Sequence, residues 1–410
     1  MTDPPIQTSP RSWCATALVL VLLTYPIMGS KLLPFGGGAR YMSVLAGPLS
    51  LVMLLLFARH ERAALLSSAW QWSKPFVPFV AGWTLIQLWH RVDAVDYWQL
   101  TRVFWGAVIY LGARWARLTR VHLAYAACAG ALAYLVIGSV EVFIMDRPRA
   151  WGGVYENRFG QFSVWLSGLC LLHVVFAQQG DRLALWLRSS LLLGSVAGLF
   201  AASLSGSRGA LLALPALLPI VFVMSKAQRR RLMTPSVVAA AVVAAAILLH
   251  APTHERLELV WQQTIQYFTQ PSFVVTAVGI RLEMARIALQ VLSEHPWAGV
   301  GFQSFPMLVE KYPSFATIPP PILAFSGFHS DWGHVIAVGG GTLVLALLGS
   351  LLLLARRTLG DAFLMWCLLC AVIFSISELF FCNKLGFSYL VSTWALYAAA
   401  RANSSASGER

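Results

Sequence analysis

The sequence predicts an all-α integral membrane protein with about 12 transmembrane helices and one large helical loop. Two features of composition and one of patterning carry that expectation. Of the 410 residues, 58% are hydrophobic and only 11% are charged. The mean hydropathy is +0.68, far above that of a water-soluble domain. The apolar residues are also gathered into stretches of roughly the length that crosses about 30 Å of hydrocarbon as a helix.

In chain order those stretches are residues 13–29, 41–58, 75–90, 97–113, 121–145, 160–178, 184–204, 209–225, 235–250, 330–354, 362–381 and 386–400. The first, "CATALVLVLLTYPIMG", follows Arg11 and has the outline of a signal peptide. No A-x-A cleavage site follows its apolar stretch, so it reads as an uncleaved span. With the amino terminus in the cytoplasm, the cytoplasmic segments carry seventeen basic residues against five acidic ones, while the outer side is nearly balanced. This positive-inside asymmetry places both termini in the cytoplasm. The formal net charge of +13 is thereby spread over short loops as a topology signal, which excludes a basic nucleic-acid-binding domain.

The chain divides into residues 1–250 with spans one to nine, an outward loop over 251–329, and residues 330–410 with spans ten to twelve and a cytoplasmic tail. Within the loop, "HERLELVWQQTIQYF" and "GIRLEMARIALQVLSEH" have the spacing of amphipathic helices, and Pro296 ends the second. "KYPSFATIPPPILAFSG" then returns irregularly to the membrane. The glycine triplets at 36–38 and 339–341 read as turn or close-packing features.

The six cysteines lie in or beside apolar runs, so "CLLC" at 367–370 reads as packing rather than as a metal or redox pair. Metal use is not expected. "HAPTHE" places Pro252 between its histidines, the chain has no D-x-D, and "SKLLPFGGGAR" after the first span carries no carboxylate. Walker A, G-x-G-x-x-G and G-x-S-x-G motifs are missing from the sequence, which argues against an ATPase or a standard serine hydrolase.

Chemistry on the outer side rests on arginines and one histidine. An unpaired arginine at a membrane-helix centre costs roughly 2.5 to 3.5 kcal/mol on insertion scales. Such a residue therefore lies near an interface, lines a polar cavity or meets an anion. Arg147 adjoins Asp146, Arg158 lies two residues from Glu156, and Arg286 follows Glu283 by three, so local pairing accounts for these as well as anion binding does. Arg149 lies in the same Arg-rich loop as Arg147.

Arg208 in "SLSGSRGALLAL" and Arg281 have no acid at helical spacing on their amino-terminal side. Arg281 shares a face with Ala285, Ala288 and Leu292, which suggests packing against the membrane body. Both are candidate anion ligands, because a guanidinium stays charged and grips phosphate oxygens with two parallel hydrogen bonds. If Ser207 and Arg208 open a span, backbone N–H groups also face such an anion. His329 lies where the long loop re-enters the membrane, on the same side as these arginines. Nearby arginines would keep its imidazole neutral and suited to general-base work, with an interfacial hydrogen-bonding role as the alternative. His334 is about 140° further round a helix, so the two histidines do not form a natural metal pair.

Several segments, in order, resemble the O-antigen ligase and polymerase superfamily of bacterial envelope enzymes. "RAWGGVYENRFG" is similar to its R-x-x-G with an asparagine-containing turn, here Asn157. "SGSRGALLALP" resembles its S-R-G segment, "RLEMARIALQVLSEHPWAGVGFQSF" its R…P-x-x-G-x-G-x-x-x-F segment, and "HSDWGHVIAVGGGTL" its histidine-then-glycine segment.

The resemblance implies a glycosyltransferase C-like membrane fold in the bacterial inner membrane, with the active site facing the periplasm. It implies a donor, undecaprenyl diphosphate carrying O-antigen, whose glycan passes to a sugar hydroxyl of lipid A-core amid membrane lipids. Neither nucleotide, metal nor other cofactor is required. In that scheme Arg208 and Arg281 bind diphosphate and His329 is the general base. Arg147, Arg149, Asn157, Arg158 and Arg286 are secondary candidates. An O-antigen polymerase with a lipid-linked acceptor is the nearest alternative, and a lipid-linked glycan flippase or transporter is an alternative of another class.

Overall fold

The computed structural model describes residues 41–57, 62–91, 98–152, 155–176, 182–217, 219–220, 251–270 and 276–406. Everything regular among them is helical. The expected spans at 13–29 and 235–250 lie outside the described residues, as do residues 218 and 221–225 of the one at 209–225.

The first half of the described chain comprises α1 (Tyr41–Phe57), α2 (Arg62–Ser73), α3 (Val77–Trp89), α4 (Trp98–Trp115), α5 (Arg120–Ser139), α6 (Glu156–Phe176), α7 (Arg182–Ser205) and the single turn α8 (Arg208–Leu211). The second half comprises α9 (Ala251–Thr269), α10 (Ala277–Glu294), α11 (Phe305–Lys311), α12 (Pro320–Leu323), α13 (Asp331–Thr358), α14 (Ala362–Ser377) and α15 (Lys384–Ala406). Four helical stretches, Arg120–Ile144, Glu156–Phe176, Leu185–Ser205 and Asp331–Thr358, are long and apolar enough to cross a membrane. Their packed faces are apolar and their outer faces carry exposed Leu193, Val196, Leu345 and Leu352, as lipid-facing helices require.

Two boundaries differ from expectation. The segment before residue 75 is not a loop: α2 runs through it and leads into α3 over a 3-10 turn at Lys74–Phe76. The stretch from 209 does not continue as one helix. It breaks after Leu211 into a 3-10 turn at Leu214–Ala216, where Pro215 has no N–H to continue the helical ladder. The two helices expected in the long loop are present as α9 and α10, and α10 stops one residue short of His295 and two short of Pro296. Cys367 and Cys370 are fully buried free thiols in α14, in keeping with a packing role.

The bundle has two polar ends. At one, Asp361 caps α14 by accepting from the N–H groups of Phe363 and Leu364, pairs with Arg120 at 2.9 Å and faces Arg401 at 3.9 Å. At the other end meet the start of α6, the end of α7, the start of α13 and the end of α14.

A broken helix fixes that second end. Inside α13, Gly340 leaves helical geometry with φ 56° and ψ −151°. The carbonyls of Ala337 and Val338 accept from Val300 and Gly301 instead of from their own helix, at 2.9 and 3.1 Å. In return Gly341 and Thr342 donate to the carbonyls of Pro296 and Trp297, at 2.6 and 3.2 Å. The "PWAGVG" segment thus supplies the partners that the break strips from α13, as an apolar environment demands. Only a glycine pair permits the approach. A Cβ on Gly299 would lie 2.7 Å from the Gly340 nitrogen, and both residues have positive φ.

Candidate active site

Asp331, fully buried in the first turn of α13, organises the site. Its carboxylate accepts from the backbone N–H groups of Phe380, Phe381 and Cys382 at 2.7, 2.7 and 2.8 Å. Three charge-assisted bonds lock the turn after α14 to the start of α13. His329 is two residues before Asp331 and Glu378 two residues before Phe380, so this clamp carries both into one neighbourhood.

Glu378 caps the end of α14 in extended conformation, its N–H donating to Phe374 O at 3.0 Å. Its side chain is only 19% exposed. Oε1 accepts from the Asn157 amide at 2.5 Å and lies 3.9 Å from Nη2 of Arg281. The neighbouring carbonyl of Leu379 accepts from Nη2 of Arg158. Arg158 is buried, bonds Gln161 at 3.2 Å and stacks over the Phe380 ring at 5.7 Å. Glu156, the nearby acid that was one alternative for it, is not among these partners. The place of Arg158 in the first turn of α6 turns it inward, toward the backbone that Asp331 holds.

The His329 imidazole is half-buried against Phe325, with ring centroids 5.1 Å apart. Burial holds its pKa below the ordinary histidine value; Glu378 counteracts this and Arg281 adds to it. His334 is elsewhere, stacked on Trp83 and edge-on to Phe302.

Arg281 is one turn into α10, whose first turn is capped by the Thr276 hydroxyl accepting from Gly279 N–H at 2.9 Å. The stripe of α10 turned to the protein body is Gly279, Glu283, Met284, Ile287, Ala288 and Val291. Arg281 lies at its edge with Ala285 exposed, a position offset from the one its spacing suggested. Its side chain is 43% exposed, and Nη1 donates to Ala277 O at 3.1 Å.

Arg208 opens α8. Its side chain lies outside what is described, but its backbone is placed between the same elements. A Cβ on Gly209 would come 2.7 Å from the Ser377 hydroxyl, next to Glu378. One on Gly160, a turn after Asn157, would come 2.7 Å from Ser207 Cβ. Gly206 makes the preceding turn at φ +63°.

The remaining arginines are held by other partners. Arg147 pairs at 3.0 Å with buried Glu141, not Asp146, and Glu141 also accepts from the N–H groups of Trp151 and Gly152 at 2.6 and 2.7 Å. The left-handed backbone of Asp146 (φ 51°) turns the chain back onto the π-helical turn Val140–Ile144 that follows α5. Arg149 donates to Ser205 O at 2.7 Å, capping the carboxyl end of α7.

Arg286 pairs with Glu283 at 2.7 Å as its spacing predicts, and Tyr267 of α9 donates to the same carboxylate at 2.7 Å. Burial opposes the Glu283 charge, but hydrogen bonds from Arg286 and Tyr267 outweigh it and lower its pKa. Tyr267 itself is pushed up to about 12, by burial and then by Glu283. Because the folded carboxyl titrates below its free value, this link holds above that free value and is lost as pH falls through the folded one. Tyr267→Phe is expected to cost about 1 kcal/mol of α9 docking. Hydrogen exchange over 251–269 should report faster opening, and unchanged exchange would count against the link.

Bundle and site together describe a multi-span helical membrane protein with arginine, histidine and carboxylate gathered at one end, beside two amphipathic helices. The family model described as O-Antigen ligase matches residues 193–349, which contain α8, α10, the "PWAGVG" segment, His329 and the broken part of α13. Through this segment, less than half of the chain, the protein is similar to the O-antigen ligase/polymerase family, whose members are glycosyltransferase-like enzymes acting on lipid-linked sugars. The four long apolar helices are those of a multi-pass membrane protein. No curated protein matches the chain.

Sequence reasoning missed Glu378 and Asp331. Each is a single carboxylate beside a long apolar run, "CLLCAVIFSISELFF" and "HSDWGHVIAVGGG". That is the same signal that drew attention to Arg208, with the opposite charge.

Proposed function

We propose that the protein is an O-antigen ligase. It transfers a glycan from undecaprenyl diphosphate to a sugar hydroxyl of lipid A-core at the periplasmic face, without a metal and with inversion at the anomeric carbon. The proposal includes about 12 spans, both termini in the cytoplasm and the 251–329 loop in the periplasm. The observation that carries it is the ion pair of Arg281 with Glu378, distant in sequence, on the turn to which the Asp331 clamp ties His329, beside the start of α8.

In this reading the acceptor oxygen attacks the anomeric carbon as its proton passes to the imidazole of His329. The bond from that carbon to the phosphate oxygen breaks, and its electron pair leaves with undecaprenyl diphosphate. Arg281 and Arg208 stabilise the charge that builds on the leaving group. Diphosphate is already a good leaving group, so fixed cations and one base suffice. Arg281 suits this role because its ion pair is long and its side chain is 43% exposed, leaving the guanidinium open to a ligand.

Arg281→Ala is expected to reduce transfer about 10²- to 10³-fold, as removing one preorganised donor does elsewhere. Arg281→Lys should recover only part of this, because an ammonium lacks the planar fork. Wild-type rates in Arg281→Ala would remove the assignment. The function is tested by supplying purified protein with lipid-linked O-antigen and, in separate reactions with EDTA, lipid A-core or a second lipid-linked unit. Product on lipid A-core alone supports the ligase. A longer lipid-linked chain makes it a polymerase, and no product favours a transporter.

A further inference from the structure

Glu378 presents a problem for any anion ligand of Arg281, because a carboxylate already stands there. Oε1 takes the Asn157 amide at 2.5 Å and faces Arg281 at 3.9 Å. We propose that Glu378 is a positioning residue that stands in for the donor diphosphate on Arg281 and Asn157, gives Arg281 up when the diphosphate binds, and then acts on His329. The inference rests on the reading of Arg281 and His329 given above and adds a residue and a sequence of events to it.

The backbone on both sides of Glu378 is pinned. Its own N–H is held by Phe374, the Leu379 carbonyl by Arg158, and the three following N–H groups by Asp331. What can move is the side chain, by rotation about its own bonds. An ion pair this long between partly exposed groups is weak. Diphosphate offers Arg281 more negative charge and several oxygens, so it displaces a single carboxylate oxygen. Occupation by Glu378 in the meantime keeps the guanidinium oriented and lowers the reorganisation needed when the donor arrives.

Displacement also has an effect on the base. His329 feels Arg281 on α10 and Glu378 at the end of α14, with opposite signs, and Phe325 covers its ring. Once the donor neutralises Arg281, the Glu378 charge acts on the imidazole without that opposition. It then favours the imidazolium that forms as the acceptor proton arrives. Donor binding would thus strengthen the base that uses it.

The test is Glu378→Gln in the full-length purified protein, with thermal melting as the control for folding. Binding of a short-chain polyprenyl diphosphate should tighten about two- to fivefold, since a weak competing ion pair is gone. Transfer should slow, and the acid limb of its pH profile should move to lower pH, because His329 loses the charge that favours its protonation. A merely structural role would weaken binding and rate together and leave the limb in place. Unchanged or weaker binding in a folded Glu378→Gln protein, or an unmoved limb, overturns the inference.

Should that variant fail to fold, Glu378→Asp serves. It keeps the charge but is one methylene shorter, so it withdraws from Arg281 and should also tighten diphosphate binding; unchanged affinity overturns the inference. Arg281→Ala in the same binding assay separates the two readings. If it binds like wild type, the diphosphate assignment itself fails. If it loses binding while neither Glu378 variant gains any, only the role of Glu378 fails.

Discussion

His329→Ala is expected to lower transfer by about 10² to 10⁴-fold, the range that a general base contributes. The melting temperature should remain near wild type, since the half-buried ring gives up little beyond its contact with Phe325. Donor binding should persist, because the arginines proposed to hold the diphosphate are untouched. His329→Gln discriminates the two roles open to this side chain. Glutamine can hydrogen-bond at an interface but cannot take a proton at neutral pH, so a base role predicts that it is as inactive as alanine. Restored activity in His329→Gln, or full activity in His329→Ala, would remove the base assignment.

The wild-type pH profile follows from the same environment. Burial first, and Arg281 with it, lower the His329 pKa, while Glu378 partly restores it. The imidazole must be neutral to accept a proton, so activity falls as pH drops through its pKa. The acid limb should therefore lie below 6.5, the ordinary histidine value. A limb above that value would contradict the burial of the ring.

The second large effect is on the scaffold. Gly340→Ala puts a side chain where φ is 56° and ψ −151°, a region that essentially only glycine occupies. Its Cβ would meet Gly299 N at 2.7 Å and Pro296 O at 2.8 Å. Both are backbone atoms in the segment whose hydrogen bonds complete α13, so neither can swing away as a flexible side chain could. Backbone strain alone costs about 1 to 3 kcal/mol, and the clash adds to it. The variant is expected to melt clearly lower and to lose transfer, because the same segment holds the start of α13 against the loop. Gly349→Ala is the control. Its Cβ would make an ordinary 3.7 Å contact with Pro78, and removing a helix-interior glycine is neutral or mildly stabilising. Equal melting of the two variants would show that the broken helix does not depend on its glycine pair.

Much of this architecture was legible in the sequence for a local reason. Apolar runs and helical spacing are properties of neighbouring residues, so α5, α6, α13 and the loop helices α9 and α10 were expected close to where they lie. The glycines at 339–341 were expected as a turn or close-packing feature, and Gly340 packs closely against Gly299. Arg286 found Glu283 because its partner is three residues away on the same helix. The other pairings were misread wherever the partner came from elsewhere in the chain. Arg147 takes Glu141 across the turn that ends α5, and Arg158 takes the backbone beyond α14.

By itself, then, the sequence determined the medium, the helices and the residue types able to bind a phosphate and move a proton. Hydrophobic periodicity and the cost of isolated charge in an apolar run are sufficient for that. Only the tertiary structure decided that Asn157, Arg281, His329 and Glu378 share one neighbourhood, over a span of more than two hundred residues. The agent of that decision is Asp331. One buried carboxylate answering three backbone N–H groups joins two helices whose sequence spacing carries no record of their contact.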